Sequence, residues 1–523
     1  MVQNSQIPSS DTGLRINPLE YEERGDNATR TVTNAPFDGH LFPDLSKTRA
    51  VLLVAVLSMA ALLTVLNSQS IVIILPELGE SLNIPSSRQQ LVVSIYNIST
   101  GSLMLLWGRL ADVYGRRLGF LSGCVIFTLS TLCLPWSSYE MPFYVLRAVQ
   151  GMAAGAIMPS GIGTMASTFA PGPSRNLAYI TMSAMASLGS VLGSLLGGFV
   201  GSTLGWKWVF WIPAVAAAAT TVSGFAVTAG ASMRAATQGQ SVRQGGGKRP
   251  YVDWIGGVLV SCSLTLLLVV MTQANVIGWS TPWIPPLMVV SVLLLGAFIF
   301  YQRRLEGDPD RLPLMRMSMF RKKQFSALFC AGWLLLCVFQ WFPGVCYLLD
   351  YLGLDELQAA LQFLPAGISG LLVSFAVFPA LKHLPSFTVL FFGLLCNILP
   401  PFLFALPSIP PSTIYWAWGF PAMCLCMSVE IVWPVFSLLT AKSLPQEDQS
   451  LGGGLLQTVN NVGRALGLAV ATAVQTAVTG DSDNGKGSEA NLQGLRAAQW
   501  VNFALAAAAI LVTLTFFRGL GKA

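Results

Sequence analysis

About fourteen stretches of this chain run for roughly 20 mostly apolar residues, the length an α-helix needs to cross the hydrocarbon core of a bilayer. They lie near residues 50–75, 90–107, 118–135, 142–170, 176–203, 208–231, 254–273, 283–301, 325–349, 357–381, 387–407, 413–441, 455–479 and 497–517. Backbone in lipid has no water to bond to, so such segments satisfy their own N–H and C=O groups as helices. The fold class is therefore all-α, a polytopic membrane protein. Composition agrees: 53% of the residues are hydrophobic and 10% charged, against about a quarter charged in an ordinary soluble domain.

The stretches group as six, two and six. This divides the chain into a polar tail at 1–49, expected to be disordered in the cytosol, and a first six-helix bundle at 50–231. A linker with two extra transmembrane helices follows at 232–324, then a second six-helix bundle at 325–517 and a cytoplasmic tail at 518–523. No apolar run precedes the first stretch, so a cleavable signal peptide is not expected. With both tails on one side, 24 of the 30 Lys and Arg residues fall on that side. Four (Arg88, Lys207, Lys486, Arg496) fall on the other, and two (Arg147, Arg464) inside the stretches. Basic loops stay in the cytoplasm, so the richest loop, Arg303 to Lys323, is inside. Topology and contact with anionic lipid thus account for the net charge of +6, and nucleic-acid binding is not indicated. The nine cysteines all sit in apolar stretches and read as packing residues. His40 and His383, the two histidines, offer no catalytic or metal constellation, so neither an enzyme nor a cofactor is expected.

Between the second and third stretches lies Gly108-Arg-Leu-Ala-Asp-Val-Tyr-Gly-Arg-Arg117. Gly108 and Gly115 permit a tight reversal, while Arg109, Arg116 and Arg117 crowd positive charge onto the inner face. The segment is a charged gating latch between helices. Asp112 is expected to sit where a helix restarts, to cap the start of the third helix, and to pair with a basic group across the helix interface. The pattern resembles the signature Gly-x-Leu-x-Asp-x-x-Gly-Arg-Arg/Lys of the major facilitator superfamily.

Arg147 and Gln150 lie inside the fourth stretch, in Leu146-Arg-Ala-Val-Gln-Gly-Met-Ala-Ala-Gly155. An arginine in hydrocarbon costs at least about 3 kcal/mol, so Arg147 is expected to face a wet cavity or an acidic partner, the alternative being a clamp between neighbouring helices. This stretch is similar to a superfamily motif linked to proton transfer. In the fifth stretch, glycines spaced by four (Gly189, Gly193, Gly197, with Gly198 beside them) line one helix face and admit another backbone closely. That segment resembles the antiporter motif Gly-x-x-x-Gly-Pro-x-x-Gly-Gly of drug:proton exchangers, with Ser194 where the proline usually stands; the bend a proline would impose is open. The aromatic run Gly205-Trp-Lys-Trp-Val-Phe-Trp-Ile-Pro213, Asp253-Trp-Ile-Gly256 and Asn460-Asn-Val-Gly-Arg-Ala-Leu-Gly467 add to the likeness. Taken together, the chain resembles the fourteen-span drug:proton antiporters, particularly the fungal ones. The resemblance implies the major facilitator fold: two six-helix bundles around a central cavity that opens to each side in turn.

The first stretch departs from that family. Asn67, in Leu66-Asn-Ser-Gln-Ser, stands where the family usually has an aspartate, and an amide cannot titrate. Glu430 is the acidic residue placed deep in a stretch and is the natural replacement as proton carrier, its alternative being a permanent ion pair with Arg464 or Arg147. The coupling set is then Arg147, Gln150, Glu430 and Arg464. Polar and aromatic candidates for the substrate cavity are Asn67, Gln69, Tyr96, Asn97, Gln340, Trp341, Tyr347, Asn460 and Asn461, each equally able to serve as an interhelical hydrogen-bonder. The expected function is export of a small organic molecule, a drug or secondary metabolite, in exchange for protons, by a monomer in the plasma or vacuolar membrane. An importer of a small polar solute such as ammonium is the alternative. No P-loop is present, which argues against direct ATP drive.

Overall fold

A computed structural model describes residues 46–170, 172–229, 252–306, 313–321, 323–337, 364–407, 415–444, 448–479 and 489–517. The expectations for the tails, for the start of the linker, and for Gln340, Trp341 and Tyr347 fall outside these residues. Among the described residues the regular structure is helical throughout. The helices are α1 (Lys47–Ser81), α2 (Ser86–Tyr114), α3 (Arg116–Cys133), α4 (Glu140–Thr168), α5 (Pro173–Leu195), α6 (Trp206–Val227), α7 (Trp254–Ile277) and α8 (Ile284–Leu305). They continue with α9 (Lys323–Cys337), α10 (Leu364–His383), α11 (Ser386–Ala405), α12 (Tyr415–Ser443), α13 (Gln449–Thr479) and α14 (Glu489–Phe516). Ten helices are long and apolar enough to cross a membrane, and shorter apolar stretches lie in α10 and α12. Length and composition therefore mark ten candidate crossings among the described residues, where about fourteen was expected.

Lipid tails are as apolar as leucine, so helices in a bilayer associate through close packing and interhelical hydrogen bonds rather than escape from water. The contact of α1 with α5 shows how. A methyl group at Gly193 would stand 2.7 Å from the Leu66 carbonyl oxygen, and at Gly189 and Gly197 it would press harder still on the carbonyls of Leu62 and Ser70. Backbone meets backbone along this face, and any side chain would hold the helices apart. At Ser194, where a proline would break the helix, α5 runs on, and the Ser194 hydroxyl donates to the Ser190 carbonyl at 3.2 Å. The deviation comes one turn later instead, as a π-helical turn at Leu196–Val200 that buries Gly197 and Gly198. An extra residue in the hydrogen-bonded ring distorts the helix there as a proline would have done earlier.

Leu53, Leu57, Phe120, Met158 and Tyr179 share one core among α1, α3, α4 and α5. Leu390, Val432, Phe436 and Leu456 share another among α11, α12 and α13. The extra pair α7–α8 is tied together by two reciprocal bonds, Ser263 hydroxyl to Ser291 carbonyl (2.9 Å) and the reverse (3.0 Å). Asp253 caps α7 by accepting from Gly256 N–H at 2.8 Å. Gln302 of α8 donates to the same carboxylate at 2.6 Å and accepts the Met315 N–H at 3.2 Å. Through Leu105, Val260, Leu264, Phe298 and Leu455 the pair packs against α2 and α13.

Candidate functional site

The helices α2 and α13 converge at the end that the charge asymmetry places inside. Gly115 reverses the chain between α2 and α3 with φ 114°, a conformation that favours glycine. Asp112 lies in the last turn of α2, not at a helix restart, and its buried carboxylate points across to α13. It accepts the backbone N–H of Ser450 (3.2 Å) and of Leu451 (2.8 Å), in the first turn of α13. Those N–H groups have no partner within their own helix, and a carboxylate at a helix N-terminus is stabilised by up to about 2 kcal/mol in buried geometry. Asp112 thus caps α13, not α3, and its basic partner is Arg116, four residues on, at 2.8 Å.

Around this cap the seam between α2 and α13 is dense with charge. Arg109 pairs with Asp448 at 2.9 Å, both buried. Arg116 also donates to the Ser450 hydroxyl at 3.0 Å, and Arg175, at the start of α5, donates to Gln449 at 2.9 Å. Arg117 instead bonds the Thr228 hydroxyl at 3.0 Å, beyond the end of α6, and so braces its own bundle. Gly108 is required because a methyl group there would stand 2.8 Å from the Ser450 carbonyl oxygen. At this end α2 and α13 are held together. Arg175, Asp448 and Gln449 were absent from the sequence candidates, although an acid directly ahead of a helix, in a loop on the basic side, was a usable signal.

A second polar cluster lies within the first bundle. Arg147 is fully buried. Its guanidinium donates to Gln150 (2.5 Å) and the Val92 carbonyl (3.4 Å) and sits 4.6 Å from the Tyr96 ring centroid. Gln150 donates on to Thr131 (2.6 Å) and Asn67 (3.3 Å), and Asn67 to the Leu63 carbonyl (3.2 Å). Of the two expectations for Arg147 the structure shows the clamp: the guanidinium joins α4 to α2 through an amide, a carbonyl and an aromatic face, and Gln150 extends the network to α3 and α1. The placement of Asn67 and Tyr96 in the cavity is corrected. Both are buried, and the Tyr96 hydroxyl donates to the Thr64 carbonyl at 3.0 Å, so their polar atoms support this network instead of lining a cavity.

Glu430 is buried at the middle of α12 and takes three serine hydroxyls. Ser183 of α5 (3.0 Å) and Ser374 of α10 (2.8 Å) donate to Oε2, and Ser187 of α5 donates to Oε1. The ion pair with Arg147 or Arg464 does not form: among the described residues no cationic group bonds this carboxylate. Of the remaining cavity candidates, Asn97 is exposed and accepts from Ser68 at 3.5 Å. Half-buried Gln69 donates to Ser190 at 3.0 Å. Asn460 and Asn461, also half-buried on α13, both bond Gln457, at 3.3 and 3.1 Å.

A family model described as Major Facilitator Superfamily matches residues 57–468. The chain belongs to that superfamily. Solved structures repeat the superfamily fold. The human organic anion transporter MFSD10 (TETRAN) superposes with a TM-score of 0.62 at 15% identity, over 89% of this chain and 99% of that one. The proton:xylose symporter XylE, bound to 6-bromo-6-deoxy-D-glucose, gives 0.59 at 13% identity, over 90% and 96%. Among curated relatives, the chain is 26% identical to Efflux pump terJ of Aspergillus terreus, over 95% of this chain and 93% of the relative. It is also 26% identical to a low affinity ammonium transporter of Saccharomyces cerevisiae, over 81% and 79%. As a superfamily member it is a multi-pass membrane transporter, not an enzyme.

Proposed function

We propose that this transporter exports a small organic molecule in exchange for protons, with Glu430 as the group that carries the proton. The observation that supports this is the Glu430 site itself: a carboxyl group deep in the helices, held by three hydroxyls and paired with no described cation. A buried carboxylate without a counter-charge is costly in a low-dielectric interior and is neutralised by taking up a proton. Asn67 leaves that work to Glu430, because the amide cannot titrate. The closed inner gate supports alternating access, with the substrate reached from the opposite side in this conformation. The similarity to terJ, named an efflux pump, favours export.

A second reading is import of a small polar solute such as ammonium, favoured by the similarity to the yeast low affinity ammonium transporter and by the amide at position 67. Purified protein in liposomes under an imposed pH gradient separates the two. Uphill movement of an organic substrate opposite to the proton flow supports export by antiport. Movement of ammonium alone, indifferent to the gradient, supports the second reading and removes the first.

A further inference from the structure

We propose that a cavity at the inner end of α8 binds the phosphate of an anionic phospholipid between Arg303 and Arg321, and that the bound lipid fastens the loop at 313–321 to α8. The cavity, about 310 Å³, is lined by Arg303, Glu306, Met317, Ser318, Phe320 and Arg321. One guanidinium comes from the last turn of α8, the other from the end of a short 3-10 helix at Met317–Arg321. Both arginines are exposed, and the planar fork of a guanidinium matches two oxygens of a phosphate. Glu306 also lines the cavity, but its carboxylate oxygens accept the Ser318 N–H at 3.1 and 3.2 Å, so it braces the loop against α8. Two cations against one anion leave the site positive, and Arg304, Arg316 and Lys323 stand exposed beside it in the chain.

Phosphate exists both free in solution and in lipid headgroups; the surface of α8 selects the lipid. Val289, Val292, Gly296, Phe300 and Arg303 recur at spacings of three or four and therefore share one face of the helix. Val289, Val292 and Phe300 are exposed, and a methyl group added at Gly296 would meet nothing within 4 Å. On a helix long and apolar enough to cross a membrane, such a face meets lipid tails, and here it runs directly to Arg303. A headgroup at Arg303 thus leaves its acyl chains on an apolar track, which a free phosphate has no use for. Beside that track, the Arg304 guanidinium lies 4.8 Å from the Phe300 ring centroid. The charge asymmetry places this end at the inner leaflet, where anionic lipids attract basic segments. What the lipid does there follows from what the loop touches. Leu314 and Met315 are buried in one core with Leu105 of α2, Val260 of α7, Phe298 of α8 and Leu451 of α13. Phe320 meets Phe325 and Phe329 of α9 edge-on, with centroids 5.3 and 6.0 Å apart. The loop therefore ties the extra pair to the α2–α13 seam and to α9, and it is held to the end of α8 by Gln302 and Glu306. A phosphate bridging Arg303 and Arg321 adds a further tie across the same gap.

Native mass spectrometry and thermal melting of the full chain in detergent, with phosphatidic acid or phosphatidylcholine added, test this without any transported substrate. The native chain should retain phosphatidic acid and melt several degrees higher with it than with phosphatidylcholine. R303Q/R321Q should bind phosphatidic acid more weakly by roughly tenfold or more and lose the shift. R321Q alone carries the same test where the double variant does not fold. K47Q/R49Q removes two charges exposed at the inner start of α1, outside the cavity lining, and should bind like the native chain. Equal losses in the two double variants would reduce the effect to diffuse attraction and overturn the site. An equal rise in melting temperature with glycerol 3-phosphate, which carries the phosphate without acyl chains, would overturn the lipid assignment.

Discussion

The carboxylate of Asp112 stands 2.8 Å from the backbone N–H of Leu451, a residue 339 positions further along the chain. The last turn of one helix in the first bundle thereby supplies the cap of a helix in the second. The α2–α13 seam and the cap of α13 are thus one structure, and separating these two helices strips the cap.

Asp112→Asn keeps an acceptor oxygen but removes the charge that meets the α13 terminus and Arg116. With up to about 2 kcal/mol at stake, the closed inner state should lose as much as roughly thirtyfold in population. Turnover in liposomes should fall while expression and substrate binding hold. Turnover equal to that of the native chain would count against a gating role.

Arg109 and Asp448 form a buried pair, and removing one partner strands the other's charge at a cost of about 3–5 kcal/mol. Arg109→Ala or Asp448→Ala should each leave the inner end open, read as faster labelling of a cysteine introduced at that end. The exchange Arg109→Asp with Asp448→Arg should recover part of the closure. Failure of the exchange to improve on either single change would argue against a direct pair.

Gly189→Val places atoms where the Leu62 carbonyl already stands. Overpacking of this kind costs about 1–3 kcal/mol, so the melting temperature in detergent should drop by several degrees. A melting temperature unchanged from the native chain would show that α1 and α5 do not approach through this face.

Single cysteines introduced between Arg303 and Lys323 should resist impermeant reagents in intact cells, and those at 481–489 should label, as the charge asymmetry requires. Labelling of both would overturn the arrangement of the crossings.

The all-helical fold was legible because hydrocarbon leaves backbone only one local solution, and the segment Gly108 to Arg117 stood out because its glycines and charges sit within ten residues. What those residues touch was not. Asp112 was read as capping α3, its neighbour in sequence, yet the orphan N–H groups it serves begin α13, and no local pattern encodes a partner so far along the chain. Arg147 was read as facing water or an acid, with a clamp between helices as the alternative; residue spacing does not reveal that Tyr96, Gln150 and the Val92 carbonyl surround it. The serines around Glu430 left a fainter trace. Ser183 and Ser187 repeat at helical spacing in an apolar stretch, a polar stripe that marks a helix face with something to bond. The bend at Leu196–Val200 was open in the sequence because glycine-rich helix yields in several ways, and packing on α1 selects one.

Glu430→Gln, reconstituted in liposomes with an imposed pH gradient, tests the central claim most directly. The variant mimics the protonated carboxyl group and should abolish accumulation of substrate against its gradient while downhill exchange persists, with Asn67→Asp restoring part of the coupling in that background. Uphill pumping by Glu430→Gln at the rate of the native chain would contradict the account.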